Sequence, residues 1–463
     1  MKCRGKRWMA ILLAVLMISA LPGCTGGTES ESSAESQSFA GSAAESSEEE
    51  SSASEESDEE DKVITFWNLG TEDPDKTIMG FAPEKFNAEN DKGYTVEVVA
   101  TQNDNYKEKL VVAMSSGECP DMYTSWTGGP LVEYINSGFA QPIDDLFYAS
   151  ELPDRFMEGA ITQGTYDGHI YAIPVININV TGIYYNKEMF DNLGLTAPTT
   201  ISELEAVCDQ LLANGITPFA MANLEKWVGS YYFMNLATRY GGIDPFVNAA
   251  NGDGSFEDEC FIKAGQTLKE WTEKGYFPEG MNSMSWNDGM GKQLFYQETT
   301  AMMLVGSGMG STIMNDSEEF FNKLDWIPFP VDDTNDVDPS LLIGTLGDQF
   351  ISFNCTGEKL EAAFECVTYY LSPEGVQLMV DKGKIPPIKG IEDQITNPLL
   401  QKVVKAANEA SNMQLFYDQY LPPAVAQVHL DTLQEVFGLT MEPEEAARRM
   451  QEANEEYLAE RDQ

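Results

Sequence analysis

Val63-Ile64-Thr65-Phe66-Trp67, followed by the amphipathic stretch Phe81 to Asn90, sets the pattern from which the fold of this chain is read. The first run is short, apolar and bounded by polar residues, which predicts a buried strand; the second repeats apolar residues at helical spacing. The pair recurs as strand Thr95 to Ala100 and helix Tyr106 to Ser116, whose inner stripe is expected to be Leu110, Val111 and Met114. Asp121 to Ser125 supplies a third strand, and Gly128-Gly129 opens a helix over Leu131 to Ser137. Strands alternating with helices predict an α/β fold with an open sheet, which gathers ligand contacts where strands end and helices begin. The pattern restarts at Gly182 to Lys187, with a helix from Glu188 to Leu193 and a second over Ile201 to Leu212 that Thr200 is placed to cap. Further helices are predicted at Tyr231 to Tyr240, Phe261 to Lys274, Lys359 to Leu371, Pro373 to Lys382, Pro398 to Ala410 and Ala424 to Phe437.

Ahead of this region lie two segments that build no core. Lys2, Arg4, Lys6 and Arg7 precede the apolar run Trp8 to Ala20, too short to span a bilayer and typical of a signal peptide. The run closes on Leu21-Pro22-Gly23-Cys24, which is similar to the lipobox of bacterial lipoproteins; residues 1–23 are then the leader and Cys24 the lipidated residue. From Thr25 to Asp61 the chain is mainly Ser, Glu, Asp, Gly, Ala and Thr, the composition of a self-repelling tether with a reach on the order of 35 Å. Residues 24–61 thus form a lipid-bearing acidic linker, and the protein is expected on the outer face of a bacterial cell membrane.

Charge and motif content exclude several function classes. The chain carries 28 Lys plus Arg and 75 Asp plus Glu, for a net charge of -47. Without the four basic residues of the leader and the thirteen acidic ones of the linker, 24 basic residues face 62 acidic ones. Such a field repels phosphate backbones and anionic headgroups, so neither nucleic acid nor a charged membrane surface is expected as a partner. The two histidines, His169 and His429, have no acidic or thiol neighbour at triad or ligand spacing. His169 falls in a hairpin turn and His429 in a helix. No phosphate-loop, nucleophile-elbow, zincin or EF-hand spacing occurs, so no cofactor and no metal are expected. Cys119, Cys208, Cys260, Cys355 and Cys366 are odd in number and lack CxxC spacing, which fits buried thiols, Cys208 most clearly.

Aromatic residues beside carboxylates and amides point to a sugar, whose flat C–H faces pack on indole and whose hydroxyls match planar polar side chains. Trp67-Asn68 with Glu72, Ser125-Trp126-Thr127, Glu225-Lys226-Trp227 and Trp286-Asn287-Asp288 have this composition. Trp271, inside a helical stripe, reads as core.

The order of motifs resembles the extracellular solute-binding proteins of ABC transporters, in the family with maltose- and oligosaccharide-binding members. It is carried by Ile64 to Asn68, Ser116-Gly117-Glu118-Cys119-Pro120-Asp121, Asp167-Gly168-His169-Ile170-Tyr171-Ala172-Ile173-Pro174, Tyr184-Tyr185-Asn186-Lys187, Thr300-Ala301-Met302-Met303, Leu371-Ser372-Pro373-Glu374-Gly375 and Gly438 to Ala446. The resemblance implies a two-lobed periplasmic-binding-protein-like fold, each lobe an α/β sandwich, with a hinge crossed three times. Lobe one is expected as 62–176 plus 347–392, and lobe two as 177–346 plus 393–463. It also implies a cleft that closes on a carbohydrate, an ABC permease as the second partner, a monomer and no catalysis.

The ligand set expected is Asn68, Glu72, Trp126, Asn179, Glu225, Trp227, Trp286, Asp348, Tyr417 and Asp418. Asn179 and Asp348 enter because the resemblance places polar cleft residues after the first two crossings, and Tyr417-Asp418 because they lie on the last return to lobe two. Where many relatives carry an aromatic after the Thr300 motif, this chain reads Gly306-Ser307-Gly308. A missing platform there implies room for a wider or branched ligand, or stacking moved to Trp286. Two alternatives stay open: a surface glycoside hydrolase, which needs only two carboxylates, and a receptor for a peptide, amino acid or polyamine.

Overall fold

The structure, a computed structural model, describes residues 62–157 and 159–461; the leader, Cys24 and the rest of the linker lie outside the described residues. Two sheets organise it. The first runs β2-β1-β3-β10-β4, from β1 (Val63–Asn68), β2 (Thr95–Ala100), β3 (Met122–Ser125), β4 (Ala172–Pro174) and β10 (Phe350–Phe353). β1 is parallel to β2 and β3, while β10 is antiparallel to β3 and β4. The second runs β11-β9-β5-β7-β6, from β5 (Asn179–Asn186), β6 (Thr217–Phe219), β7 (Thr300–Gly306), β9 (Leu342–Thr345) and β11 (Met413–Gln414). β8 (Leu324–Pro328) pairs with the far half of β5. Helices cover both sheets, and the molecule is the expected two-lobed α/β fold.

The chain passes between the sheets from β4 to β5 and from β9 to β10. A third passage lies between helix Pro373–Asp381, which packs on helix Asp75–Glu89 of the first lobe, and helix Pro398–Glu409, which packs on β8 of the second. One hydrophobic core runs from Ile64, Phe66, Ile78 and Phe86 through Ile173, Val175, Ile176 and Ile178 to Tyr184 and Trp326. The first passage is therefore packed, not a free linker. A second core, in lobe two, gathers Ile183, Leu204, Phe219, Tyr232, Leu268 and Trp271. Trp271 is fully buried and donates Nε1 to Glu205 at 2.8 Å, as a structural indole should.

Local chemistry explains most of the elements. Thr200 caps helix Ile201–Ala213 through a complete capping box with Glu203. The hairpin expected around His169 is formed by Thr165–Tyr166 and His169–Ile170. Helix Asn103–Ser116 departs from its reading: it buries Tyr106, Leu110 and Ala113, whereas Val111 is 58% exposed. The helix begins at Asn103, before the first periodic residue, and the inner row is set by Tyr106, whose hydroxyl donates to the Thr124 carbonyl at 2.7 Å.

Candidate ligand-binding cleft

The parallel strands β1 and β3 end side by side, and their last residues face the second lobe. Asn68 is fully buried; its Oδ1 accepts the Gly70 amide at 2.9 Å, and its Nδ2 has no hydrogen-bond partner. Thr127 Oγ1, one strand over, is likewise buried and unpartnered. Between them Trp126 is 8% exposed, edge-on to Tyr106 at 5.8 Å, with Lys107 Nζ 5.2 Å from its ring. Lys109 sits 3.7 Å over Trp67. A sugar ring has little of either indole face left to stack on. Trp126 is therefore largely enclosed, with Lys107 against its ring.

The second lobe carries an aromatic cluster. Trp227 is the first residue of helix Trp227–Gly241, entered through Lys226 at φ 71°, and not part of a loop. Its ring meets Trp286 edge-on at 5.3 Å and Tyr231, one helical turn on, at 5.5 Å; its Nε1 has no partner. Tyr231 escaped the sequence reading because the helix was started at that residue; begun at Trp227, the i, i+4 spacing puts both rings on one face.

Glu225 is corrected. Its carboxylate accepts Ser285 Oγ at 2.6 Å and the backbone amides of Trp286 at 2.8 Å and Asn287 at 3.4 Å, so it holds the tryptophan loop in place of a ligand. Tyr417 is also corrected: it is 1% exposed and stacked on Phe246 with ring centres 3.7 Å apart. It is core, because the return segment turns it inward.

At the base of the cleft Asn179 Nδ2 donates to Asp348 Oδ1 at 2.8 Å. Burial raises the Asp348 pKa, aided by the charge of Asp75 and opposed by Lys384. The Tyr231 phenol is pushed up by burial and by the charges of Asp418 and Asp348. Gly306 and Gly308 do not widen the cleft. A side chain at Gly306 would collide with the Asn179 amide, and Gly308 faces Asp348, Asn177 and Lys384. Polar groups occupy the room an aromatic would take there. Glu72 is exposed on the loop after β1.

The lobes touch across this space. Asn287 Nδ2 donates to Asp104 Oδ2 at 2.6 Å, its carbonyl accepts Gln102 Nε2 at 3.2 Å, and Lys107 pairs with Asp418 at 3.8 Å. Gly128 and Gly129 lie so close to the backbone of Gln419 and Leu421 that any side chain there would collide. A separate groove of about 1340 Å³ lies beside that contact, lined among others by Met157, Gln163, Tyr166, Val247 and Asn412. It contains none of the tryptophans. Among the described residues no three His, Cys, Asp or Glu side chains are grouped to hold a metal ion, and no helix is long and apolar enough to cross a membrane.

Residues 70–377 match the family of bacterial extracellular solute-binding proteins. The chain belongs to that family. It is 28% identical over 204 residues to an uncharacterized ABC transporter extracellular-binding protein of Pyrococcus horikoshii, an alignment covering 44% of this chain and 45% of that one. The chain thus matches a little under half of that relative's length. Against the multiple sugar-binding protein of Streptococcus mutans identity is 26%, over 75% of this chain and 80% of the other. A structure solved in work on xylan utilization by Caldanaerobius polysaccharolyticus superposes with a TM-score of 0.77 at 27% identity, covering 84% of this chain and 99% of its own. A chitin oligosaccharide binding protein shares the fold, with a TM-score of 0.77 at 22% identity over 85% of this chain and 98% of its own.

Proposed function

We propose that this solute-binding protein is the lipid-anchored extracellular receptor of a carbohydrate ABC transporter. It closes on a sugar or oligosaccharide, presents it to the permease, acts as a monomer and catalyses nothing. The observation that carries this reading is the aromatic cluster of Trp227, Trp286 and Tyr231, whose loop meets the other lobe where Asn287 bonds Asp104, together with the Asn179–Asp348 pair. An aromatic side and an amide-carboxylate base are what a pyranose needs. The relatives add support, since one from Haloferax volcanii is a xylose/arabinose-binding protein and another, from Pyrococcus abyssi, a maltotriose-binding protein.

The ligand set proposed is Asn68, Trp126, Asn179, Trp227, Trp286, Asp348 and Asp418, with Tyr231 added and Glu72 at the rim. The lobes are proposed as 62–176 plus 347–392 and 177–346 plus 393–463, with Cys24 as the anchor. A thermal-shift screen over mono- and oligosaccharides, followed by calorimetric titration, tests the reading: a true ligand raises the melting temperature by mass action. Shortened products after incubation with oligosaccharides would replace it with hydrolysis, and a Cys24→Ala precursor that stays in the membrane fraction would remove the anchor.

A further inference from the structure

The three passages between the lobes meet at one amide. Asn177, on the first, accepts the Asp348 amide with its carbonyl at 2.6 Å and the Ile385 amide with Oδ1 at 2.8 Å, so it binds the second and third passages at once. This fixes the side chain and leaves Nδ2 a buried donor with no hydrogen-bond partner, on a residue 2% exposed. That donor points at Gly308, where an added Cβ would sit 3.3 Å from Asn177 Nδ2, 3.2 Å from Asp348 Oδ2 and 3.8 Å from Lys384 Nζ. Lys384 is 2% exposed and paired with Asp75 at 2.8 Å; burial opposes its charge, but Asp75 and Asp348 raise its pKa and keep it protonated.

Resting on the receptor reading, we propose that Asn177, Asp348 and Lys384 form a hinge floor beside Gly308 that reads one uncharged hydroxyl group of the bound sugar. A hydroxyl donates to a carboxylate oxygen while accepting from an amide or ammonium N–H, the combination found here. Asp348 and Asp75 outweigh Lys384 by one negative charge, so a uronate with its carboxylate at this position is disfavoured. Because each reading group belongs to a different passage, the hydroxyl is sensed where the lobes rotate. Neither Asn177 nor Lys384 is marked by an aromatic or acidic neighbourhood in the sequence; the unpartnered amide and the glycine are what single them out.

Gly308 has an ordinary helical backbone (φ -56°), so Gly308→Ala fills the floor without backbone strain, the Asp348 and Asn177 side chains giving way slightly. Asn177→Asp keeps the acceptor for Ile385 and removes the donor. With the best sugar found for the native protein, both variants are expected to bind about tenfold more weakly by calorimetry, the loss of one buried hydrogen bond, with the ligand-free melting temperature of Gly308→Ala little changed. Among monodeoxy analogues of that sugar, one is expected to lose about tenfold on the native protein and nothing further on Gly308→Ala. Native affinity in both variants, or an equal penalty for every deoxy analogue on native protein and Gly308→Ala, overturns the hinge floor and leaves the receptor reading standing. Absence of binding by the native protein to any carbohydrate overturns both.

Discussion

Two aromatic residues read alike from sequence part company once their neighbours are known. Trp227 presents a ring edge-on to two other cleft rings and an indole N–H without a partner, whereas Tyr417 is stacked face to face inside lobe two. Trp227→Ala should therefore weaken the best sugar by about 1 to 3 kcal/mol in calorimetric titration with little change in melting temperature. Tyr417→Ala should do the reverse, costing about 3 to 5 kcal/mol of stability in denaturant titration. His429 gives a second residue-scale expectation. It is fully enclosed beside Phe233, its Nε2 lies 2.7 Å from Ser230 Oγ, and burial lowers its pKa to about 3. The unfolded chain takes up a proton near pH 6.5 that the folded chain refuses until about pH 3, so this residue withdraws stability as pH falls through that window. Between pH 7 and pH 5 the loss is about 2 kcal/mol, and His429→Gln, which can still bond Ser230, should flatten that part of the stability profile.

At the level of elements, periodicity and capping carried what is local. Thr200 and Glu203 announce the helix they cap, and the box forms in full. Thr200→Ala should lower stability by about 1 kcal/mol, read as a shifted denaturant midpoint at unchanged slope. What sequence reading missed depends on partners far away in the chain. β6, with Pro218 inside it, and the short strands β9 and β11 lack alternation because all sit in a sheet closed by distant segments. Val111 and Val112 satisfy a helical stripe as well as Leu110 does, and only the docking of Tyr106 against β3 decides which row turns inward. The site divides in the same way. The tryptophans of the proposed site were legible from composition, since indoles beside carboxylates and amides are conspicuous. The use of Glu225 as a loop brace was not, because its acceptor role is spent on Ser285, Trp286 and Asn287, which no spacing connects to it.

For the whole molecule the decisive quantity is how closely the lobes approach. Ligand can drive closure only by contacts it makes in the closed state and not in the open one. In the arrangement seen here the helix Gly129–Asn136 sets its first residue against the Leu421 carbonyl, and Asn287 reaches Asp104 at 2.6 Å. Gly129 is the more informative of the two, since its backbone is that of an ordinary helix and any side chain there collides with a neighbour from the other lobe. Gly129→Ala should leave each lobe folded but hold them apart by roughly the diameter of a methyl group, a displacement that rigid passages through a continuous core transmit across the cleft. The sugar then reaches Trp227 or Asn68 but not both. Affinity is expected to fall about tenfold or more, and the decrease in radius of gyration that saturating sugar produces in the native protein, measured by small-angle scattering, should be largely lost. A Gly129→Ala protein that contracts on sugar as the native one does would mean that closure does not bring these two backbones together, and that the contact between helix Gly129–Asn136 and Leu421 contributes nothing to holding the ligand.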